Sequence, residues 1–215
     1  MSVGPVFRRG PRPVVAVLAA TALVAAAAIA VVAANPKGPA ASSPAGPTTR
    51  LVAGDLLDHR VRPLAGKTEV HLGRTYGGKV LLVVNTASKC GFTPQFDALE
   101  SLHARLAPRG FAVLGFPSGD FAGQEFADEE EIREFCRLTY GVKFPMFQKV
   151  SVVGEDAVPF YRALAAASGQ PPKWNFHKYL IGRDGKVAAV FGSRTAPDAP
   201  EVLAAIERAL AVPAP

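Results

Sequence analysis

The segment KVLLVVNTASKCGFTP, residues 79–94, constrains the fold more than any other part of this chain. It begins with a continuous run of apolar and mostly β-branched residues that lacks the alternation of a half-exposed strand. Such a run predicts a strand buried on both faces of a mostly parallel sheet. Small or polar residues, Asn85 to Ser88, can then turn the chain, and Thr93 and Pro94 are suited to capping and starting a helix. The predicted helix has an apolar stripe made of Phe96, Leu99, Leu102 and Leu106.

Cys90 lies between this strand and this helix. A cysteine there is close to the free backbone N–H groups and the positive end of the helix dipole, and neighbouring Lys89 adds a positive charge. These features stabilise a thiolate and therefore favour a reactive cysteine. A small buried residue in a tight loop would have the same neighbours, and this stretch by itself leaves both alternatives open.

Strands and helices alternate after this segment. Phe111–Pro117 is a second buried strand, and because a helix connects the two strands we expect them to be parallel neighbours. Asp128 is placed to cap a further helix that runs to Gly141. The remaining predicted elements are a hairpin within Leu56–Leu72, an extended segment at Phe144–Val150, a helix at Ala157–Ala167, a hairpin of Tyr179–Ile181 and Val187–Phe191, and a helix at Asp198–Leu210. This order predicts an α/β, thioredoxin-like fold, in which helices flank both faces of a central mixed sheet.

Composition divides the chain into four parts. Residues 1–13 are a basic leader that should stay in the cytoplasm, and residues 14–34 are apolar with a single polar residue. This stretch is long enough to be a transmembrane anchor, and a cleaved signal peptide is the alternative because residues 32–34 resemble a cleavage site. Residues 35–50 are a Pro/Ala/Ser-rich linker, and residues 51–215 are the folded domain. Both alternatives predict an extracytoplasmic domain, either anchored to the membrane or released as a secreted or periplasmic protein.

The net charge of +6 does not indicate a nucleic-acid-binding protein. Residues 1–50 hold five basic residues and no acid, so residues 51–215 carry a net charge of only +1. The two cysteines are too few for a disulfide-rich scaffold, and neither they nor the four histidines have the spacing of zinc ligands. We therefore predict no metal, no cofactor and no nucleic-acid partner.

Three side chains far from Cys90 in the sequence can assist a thiol that reduces a peroxide. When a thiolate attacks a peroxide, the O–O bond breaks and negative charge moves to the departing oxygen, where hydrogen-bond donors stabilise it. Gln124, Trp174 and Asn175 can supply such donors.

Five segments, in order, resemble motifs of the glutathione peroxidase family in its cysteine-containing branch: NTASKCGFTPQF, LGFPSGDFAGQE, EEEIREFC, FPMF and KWNFHKYL. The resemblance covers roughly Leu56 to Leu210. It implies that Cys90 is the peroxidatic residue. The residues that assist it in the family map onto Gln124, Trp174 and Asn175. The implied activity is the reduction of hydrogen peroxide and of organic or lipid hydroperoxides through a sulfenic acid, in the response to oxidative stress.

Cys136 lies where the two-cysteine members of the family have their resolving cysteine. The resemblance to those members implies a thioredoxin-like reductant, with glutathione as the other candidate. The alternative role is that of a buried helix cysteine, because Ile132 and Phe135 share its face. A cysteine in the body of a packed helix should also lie too far from Cys90 to form a disulfide unless the helix unwinds locally.

The chain departs from the family at Ser118-Gly119-Asp120, where Cys-Asn-Gln is usual. The Asp120 carboxylate would disfavour a thiolate if it pointed toward the cysteine. The long insertion that some members use for tetramer contacts is missing, which predicts a monomer. Two other functions stay open: a tethered extracytoplasmic thiol-disulfide oxidoreductase, which the missing second cysteine of C-x-x-C disfavours, and a non-enzymatic domain stapled by a disulfide.

Overall fold

The computed structural model describes residues 56–215. The predicted leader at 1–13, the apolar stretch at 14–34 and the linker at 35–50 lie outside the described residues, as does the predicted start of the domain at residue 51. No helix within residues 56–215 is long and apolar enough to cross a bilayer.

The described part of the chain alternates strands and helices much as predicted. In chain order the elements are β1 (Arg60–Val61), β2 (Val70–His71), α1 (Leu72–Tyr76), β3 (Val80–Thr86), α2 (Gln95–Leu106), β4 (Phe111–Pro117), α3 (Glu129–Tyr140), α4 (Pro159–Ser168), β5 (Lys178–Ile181), β6 (Val187–Phe191) and α5 (Pro200–Ala211). The strands β1 and β2 form the small antiparallel hairpin predicted near the start of the domain.

The central sheet has four strands in the order β4-β3-β5-β6. The strands β3 and β4 are parallel, with Val80 opposite Phe111, as the strand–helix–strand pattern predicted. The strand β5 is antiparallel to both of its neighbours, with Leu82 of β3 opposite Leu180. Every residue of β3 and of β4 is buried, which explains why their sequences are continuous apolar runs and do not alternate.

Helices cover both faces of this sheet. Alternate residues of each strand point to opposite faces, so each strand contributes side chains to two separate cores. Leu82 and Val84 of β3 pack with α2, α3 and α5, whereas Leu81 and Val83 pack with α1 and α4. This is the predicted thioredoxin-like arrangement. Both cysteines belong to the core on the α2, α3 and α5 side of the sheet.

Several predicted boundaries need correction. The helix α2 begins at Gln95, so Pro94 precedes it and Thr93 makes no capping hydrogen bond to its first turn. The helices α4 and α5 begin two residues later than predicted. The five-residue helix α1 was not predicted, because it is too short to show a helical period. The prediction for α3 is confirmed, since the Asp128 carboxylate accepts hydrogen bonds from the first turn and Gly141 ends the helix in the left-handed conformation.

Candidate active site

The loop between β3 and α2 holds Cys90 in a fixed, nearly buried position, with 8% of the residue exposed. Thr93 braces this loop, because its hydroxyl accepts a hydrogen bond from the backbone N–H of Cys90 at 3.0 Å and lies within hydrogen-bond distance of the carbonyls of Ala87 and Cys90. The N–H of Phe92 donates to the sulfur of Cys90 at 3.4 Å. A donor aimed at the sulfur stabilises negative charge there, so the loop suits a nucleophilic thiol.

Gln124 and Asn175, two of the predicted donors, lie in contact. Nδ2 of Asn175 donates to Oε1 of Gln124 at 3.1 Å, and the carbonyl of Gln124 accepts a hydrogen bond from the backbone N–H of Lys89 at 2.9 Å. Asn175 is fully buried and Gln124 is half-buried. The amide Nε2 of Gln124 has no partner among residues 56–215, so it remains able to donate to a bound molecule. The structure therefore brings both donors to the Cys90 loop.

Trp174, the third predicted donor, lies at the surface of the site with 38% of the residue exposed. Its ring packs against Phe121 at a centroid distance of 5.6 Å. It also lines a groove together with Phe92, whose N–H contacts the Cys90 sulfur. A half-exposed indole in this position can contact a ligand as it approaches the thiol.

Asn85 positions this segment, and the sequence analysis missed it. Its Nδ2 donates to the carbonyl of Trp174, its Oδ1 accepts from the N–H of His177, and its carbonyl accepts from the N–H of Phe176. The sequence places Asn85 among the residues that can turn the chain, but it lies inside β3 and is fully buried. A polar residue within an otherwise apolar run was the signal, because a buried amide needs partners elsewhere in the fold.

The backbone between Asn175 and His177 is strained. Phe176 has a φ of +61°, in the left-handed region that residues with a side chain rarely adopt. Its carbonyl accepts a hydrogen bond at 2.7 Å from Nζ of Lys178, which is fully buried. Burial lowers the pKa of Lys178 to about 7. Asn85 and Lys178 together hold the conformation that directs Asn175 toward Gln124.

Glu125 is a buried acid that the sequence analysis also missed. Its Oε1 accepts hydrogen bonds from the N–H of Ser88 at 3.2 Å and of Phe126 at 2.9 Å, and its Oε2 has no partner in the described part of the chain. Burial raises the pKa of this carboxyl group, and these hydrogen bonds oppose the rise only in part. Its position in the sequence, directly after Gln124, was the available signal.

Cys136 lies on the inner face of α3, with 2% of the residue exposed, beside Ile132 as predicted. Burial, and secondarily the charge of Glu125, raise the pKa of the Cys136 thiol to about 12. Both cysteines are free thiols in this structure. Cys136 is therefore held as a protonated, shielded thiol as long as α3 stays packed.

The Glu129 carboxylate fixes the first turn of α3 to two other segments. It forms two hydrogen bonds of 2.7 Å with the guanidinium of Arg62 and accepts hydrogen bonds from the N–H groups of Ala65 and Lys149. The Arg62 guanidinium lowers the pKa of Glu129. These contacts hold the start of the helix, about two turns before Cys136.

The unusual Ser118-Gly119-Asp120 segment does not direct its carboxylate at the thiol. Oδ2 of Asp120 accepts hydrogen bonds from the N–H groups of Val152 and Val153, at 2.6 and 3.1 Å. Asp120 thus orders a neighbouring loop, as a carboxylate accepting two backbone hydrogen bonds commonly does.

The ammonium group of Lys89 lies 4.0 Å from the ring centroid of Phe126, where it makes a cation–π contact.

The family model for glutathione peroxidase matches residues 56–165, which include Cys90, Gln124 and Cys136. The chain belongs to the glutathione peroxidase family. It is a peroxidase with the predicted family fold.

Several known proteins are similar to this chain over most of the length of the domain. The hydroperoxy fatty acid reductase gpx1 of Synechocystis is 48% identical over 147 residues, which are 64% of this chain and 86% of that protein. The thioredoxin/glutathione peroxidase BtuE of Escherichia coli is 42% identical over 167 residues, 66% of this chain and 91% of its own length. The crystal structure of Trgpx in its apo form is 38% identical, with a TM-score of 0.61, and the match covers 75% of this chain and 99% of that one.

Proposed function

We propose that this glutathione peroxidase family member is a thiol peroxidase whose nucleophile is Cys90. The observation that carries the proposal is the Cys90 loop itself, in which one backbone N–H faces the sulfur and a neighbouring one binds Gln124. The Cys90 thiolate attacks one oxygen of a hydroperoxide, the O–O bond breaks, and the other oxygen leaves with the electron pair and is protonated to water or an alcohol. Cys90 is then a sulfenic acid.

The assisting residues are Gln124, Asn175 and Trp174. Negative charge develops on the departing oxygen, and neutral donors already in place stabilise it without reorganisation. Nε2 of Gln124 makes no hydrogen bond within residues 56–215, and Asn175 is held by its hydrogen bond to Oε1 of Gln124. Trp174 is partly exposed to solvent beside them. The substrates are hydrogen peroxide and organic or lipid hydroperoxides, in line with the hydroperoxy fatty acid reductase of Synechocystis.

Cys136 resolves the sulfenic acid. Its sulfur attacks the Cys90 sulfur, the S–S bond forms, and the hydroxyl group leaves as water after taking up the Cys136 proton. Because Cys136 is buried and its pKa is raised to about 12, the reaction requires α3 to open locally. A thioredoxin-like protein then reduces the disulfide by thiol exchange. The name of the relative BtuE, thioredoxin/glutathione peroxidase, supports this reductant and gives glutathione as a second one.

Peroxide consumption by the purified protein tests this function, with thioredoxin and its reductase or with glutathione as the reductant. We expect turnover of hydrogen peroxide with thioredoxin, slower turnover with glutathione, and no reduction of insulin disulfides. Insulin reduction without peroxide consumption would instead identify a thiol-disulfide oxidoreductase.

We also propose that residues 14–34 anchor the protein in a membrane, with residues 1–13 in the cytoplasm and residues 51–215 on the extracytoplasmic side. The domain is proposed to be a monomer. The support for the anchor is the apolar stretch that follows three arginines and precedes a Pro/Ala/Ser-rich linker. Membrane fractionation and external protease treatment of expressing bacteria test it. Full-length protein in the membrane and cleavage from outside are expected, whereas a soluble product starting near residue 35 would show a cleaved signal peptide.

A further inference from the structure

The carboxyl group of Glu125 is buried against the Cys90 loop, with 6% of the residue exposed. Its Oε1 accepts hydrogen bonds from the N–H groups of Ser88 and Phe126, which fixes it two residues before the nucleophile. Its Oε2 is buried and makes no hydrogen bond within residues 56–215. A buried carboxylate oxygen without a partner is costly, so stability alone does not explain this group.

Glu125 is also close to α3 and to the second cysteine. The ring of Phe126, the next residue, packs edge-on against Phe135 at a centroid distance of 5.7 Å, and Phe135 directly precedes Cys136. The charge of Glu125 acts on the Cys136 thiol, so the carboxylate and the thiol lie within electrostatic range of each other. Glu125 therefore lies between the loop that holds one cysteine and the helix that holds the other.

The attachment of Glu125 is one-sided. Its hydrogen bonds go to Ser88 and to its own neighbour Phe126, and within the described residues none goes to α3. When α3 opens, the carboxyl group therefore stays beside Cys90, and Cys136 has to approach it in order to reach the Cys90 sulfur. A proton acceptor in this position is available when the two sulfurs meet.

The resolving reaction needs such an acceptor. The thiolate is the nucleophilic form of a cysteine, and burial holds the pKa of Cys136 at about 12, so the thiol is protonated at neutral pH. Burial also raises the pKa of Glu125, which makes its carboxylate a stronger base than an exposed one.

Two ammonium groups lie near this carboxylate. Nζ of Lys149 donates to the carbonyl of Phe126 at 2.8 Å, and its charge opposes the rise in the pKa of Glu125. Nζ of Lys89 contacts the ring of Phe126. These positive charges favour the ionised form, which is the form that can accept a proton.

We propose that Glu125 is the proton acceptor of the resolving step. Its carboxylate takes the proton of the Cys136 thiol, the thiolate attacks the sulfur of the Cys90 sulfenic acid, and the S–O bond breaks as the S–S bond forms. The departing hydroxide takes the proton from Glu125 and leaves as water, so the carboxylate is restored and no further oxidant or reductant is consumed. The inference rests on the proposed peroxidase function and adds the residue that moves the proton.

Glu125→Gln separates the base from the structure, because the amide oxygen can still accept the hydrogen bonds of Ser88 and Phe126 but takes up no proton at neutral pH. In the full-length protein, the step from sulfenic acid to disulfide should slow by about a hundredfold, the lower end of the usual gain from a positioned base. Dimedone trapping and mass spectrometry of quenched samples time this step from the sulfenic acid already formed. Glu134→Gln is the matched control, because it removes one charge from the exposed face of α3 and should keep the wild-type rate.

The direction of the change separates this role from a purely electrostatic one. If Glu125 only disfavoured the Cys136 thiolate through its charge, the neutral glutamine would lower the pKa of the thiol and speed disulfide formation. A rate in Glu125→Gln that equals or exceeds the wild-type rate would therefore overturn the proposal.

The pH dependence of disulfide formation provides a test that a merely structural role would not pass. In the wild type, the rate should fall as Glu125 becomes protonated, at a pH above the usual carboxyl range because burial raises its pKa. In Glu125→Gln this fall should be absent, and the rate should follow the fraction of Cys136 thiolate at every pH.

The wild-type profile is informative even if the variant does not fold, and a profile without this fall at low pH would also overturn the proposal. Failure of the proposed function would look different, because hydrogen peroxide would then form no sulfenic acid on Cys90 of the wild type.

Discussion

Nδ2 of Asn175 donates a hydrogen bond to Oε1 of Gln124 across 3.1 Å, although 51 residues separate the two in the sequence. Because the carbonyl of Gln124 also binds the N–H of Lys89, the Cys90 loop and both donors form one connected unit. The two amides therefore act together, and a change in one should be felt by the other.

Gln124→Ala and Asn175→Ala should each slow the oxidation of Cys90 by roughly 10²–10³, the usual cost of losing one donor to developing negative charge. The double variant should lose less than the product of the two effects, because removing either amide already releases the other. Trp174→Phe should have a smaller effect, since the indole is half-exposed and water can replace its N–H. Stopped-flow measurement of the rate of peroxide reduction by each variant tests these predictions. Wild-type rates in all three single variants would mean that the donors are misassigned.

Cys90→Ser should abolish peroxide reduction and leave the fold intact. The hydroxyl is nearly the same size as the thiol, but it is a much weaker nucleophile. Circular dichroism and thermal unfolding provide the control for folding. More than a few per cent of wild-type turnover by the folded variant would contradict the assignment.

The sequence alone predicted the elements whose signals are local. The unbroken apolar runs of β3 and β4 led to a buried parallel pair, and Asp128 and Gly141 marked the ends of α3. The helix α1 has five residues, which are too few for a periodic signal. Thr93 was expected to cap a helix but braces the Cys90 loop, because a hydroxyl can serve either purpose and only the tertiary fold decides.

The motifs in the sequence predicted the candidate site residues, but not the buried residues that hold them in place. Asn85 stands out as a polar residue within an apolar run, but nothing in the sequence shows that its partners lie in the Trp174–His177 segment, 89 and 92 positions away. The burial of Lys178 and its hydrogen bond to the carbonyl of Phe176 also become visible only in the fold. Glu125 precedes several other acids in the sequence, and only the fold shows that it is buried against Ser88. Long-range hydrogen bonds of this kind cannot be inferred from spacing in one sequence.

Cys136→Ser should consume one equivalent of peroxide in a single burst and then stall with thioredoxin as the sole reductant. The sulfenic acid on Cys90 would have no second thiol to form a disulfide that thioredoxin can reduce. In the Cys90→Ser protein, Cys136 should resist alkylation at pH 8, because it is buried and its pKa is raised to about 12. Steady turnover of Cys136→Ser at the wild-type rate would show that Cys136 is only a core residue.

Glu129→Ala should accelerate disulfide formation after peroxide addition and lower the stability of the protein. The variant loses the hydrogen bonds that fix the first turn of α3, worth about 1–2 kcal/mol in total for a half-buried carboxylate, so the helix should open more often. Hydrogen exchange of the α3 amides and the rate of disulfide formation measure the effect. Glu134→Ala is the matched control, since Glu134 is exposed on the same helix. Equal exchange rates in both variants would exclude Glu129 as the attachment that limits opening.

The stability of the wild type relative to Lys178→Met should rise between pH 7 and pH 10.5. Burial lowers the pKa of Lys178 in the folded state to about 7, whereas in the unfolded chain it is near 10.5. Between these values the unfolded chain holds more protons on Lys178 than the folded protein does, and stability rises with pH wherever that is true. Urea unfolding of both proteins at pH 6, 8 and 9.5 provides the test. A constant difference between them would show that Lys178 titrates normally in the folded protein.

The Asn85 contacts join residues that lie 89 and 92 positions apart, so the environment of Cys90 depends on a segment near the end of the domain. Contacts of such high sequence separation form late, after the loop between them has closed. A nascent or truncated chain that ends before Trp174 would carry Cys90 as an ordinary, undirected thiol. We therefore expect the proposed reaction of Cys90 with peroxide to be acquired only when folding is complete, so that its rate can report how many molecules have reached the native state.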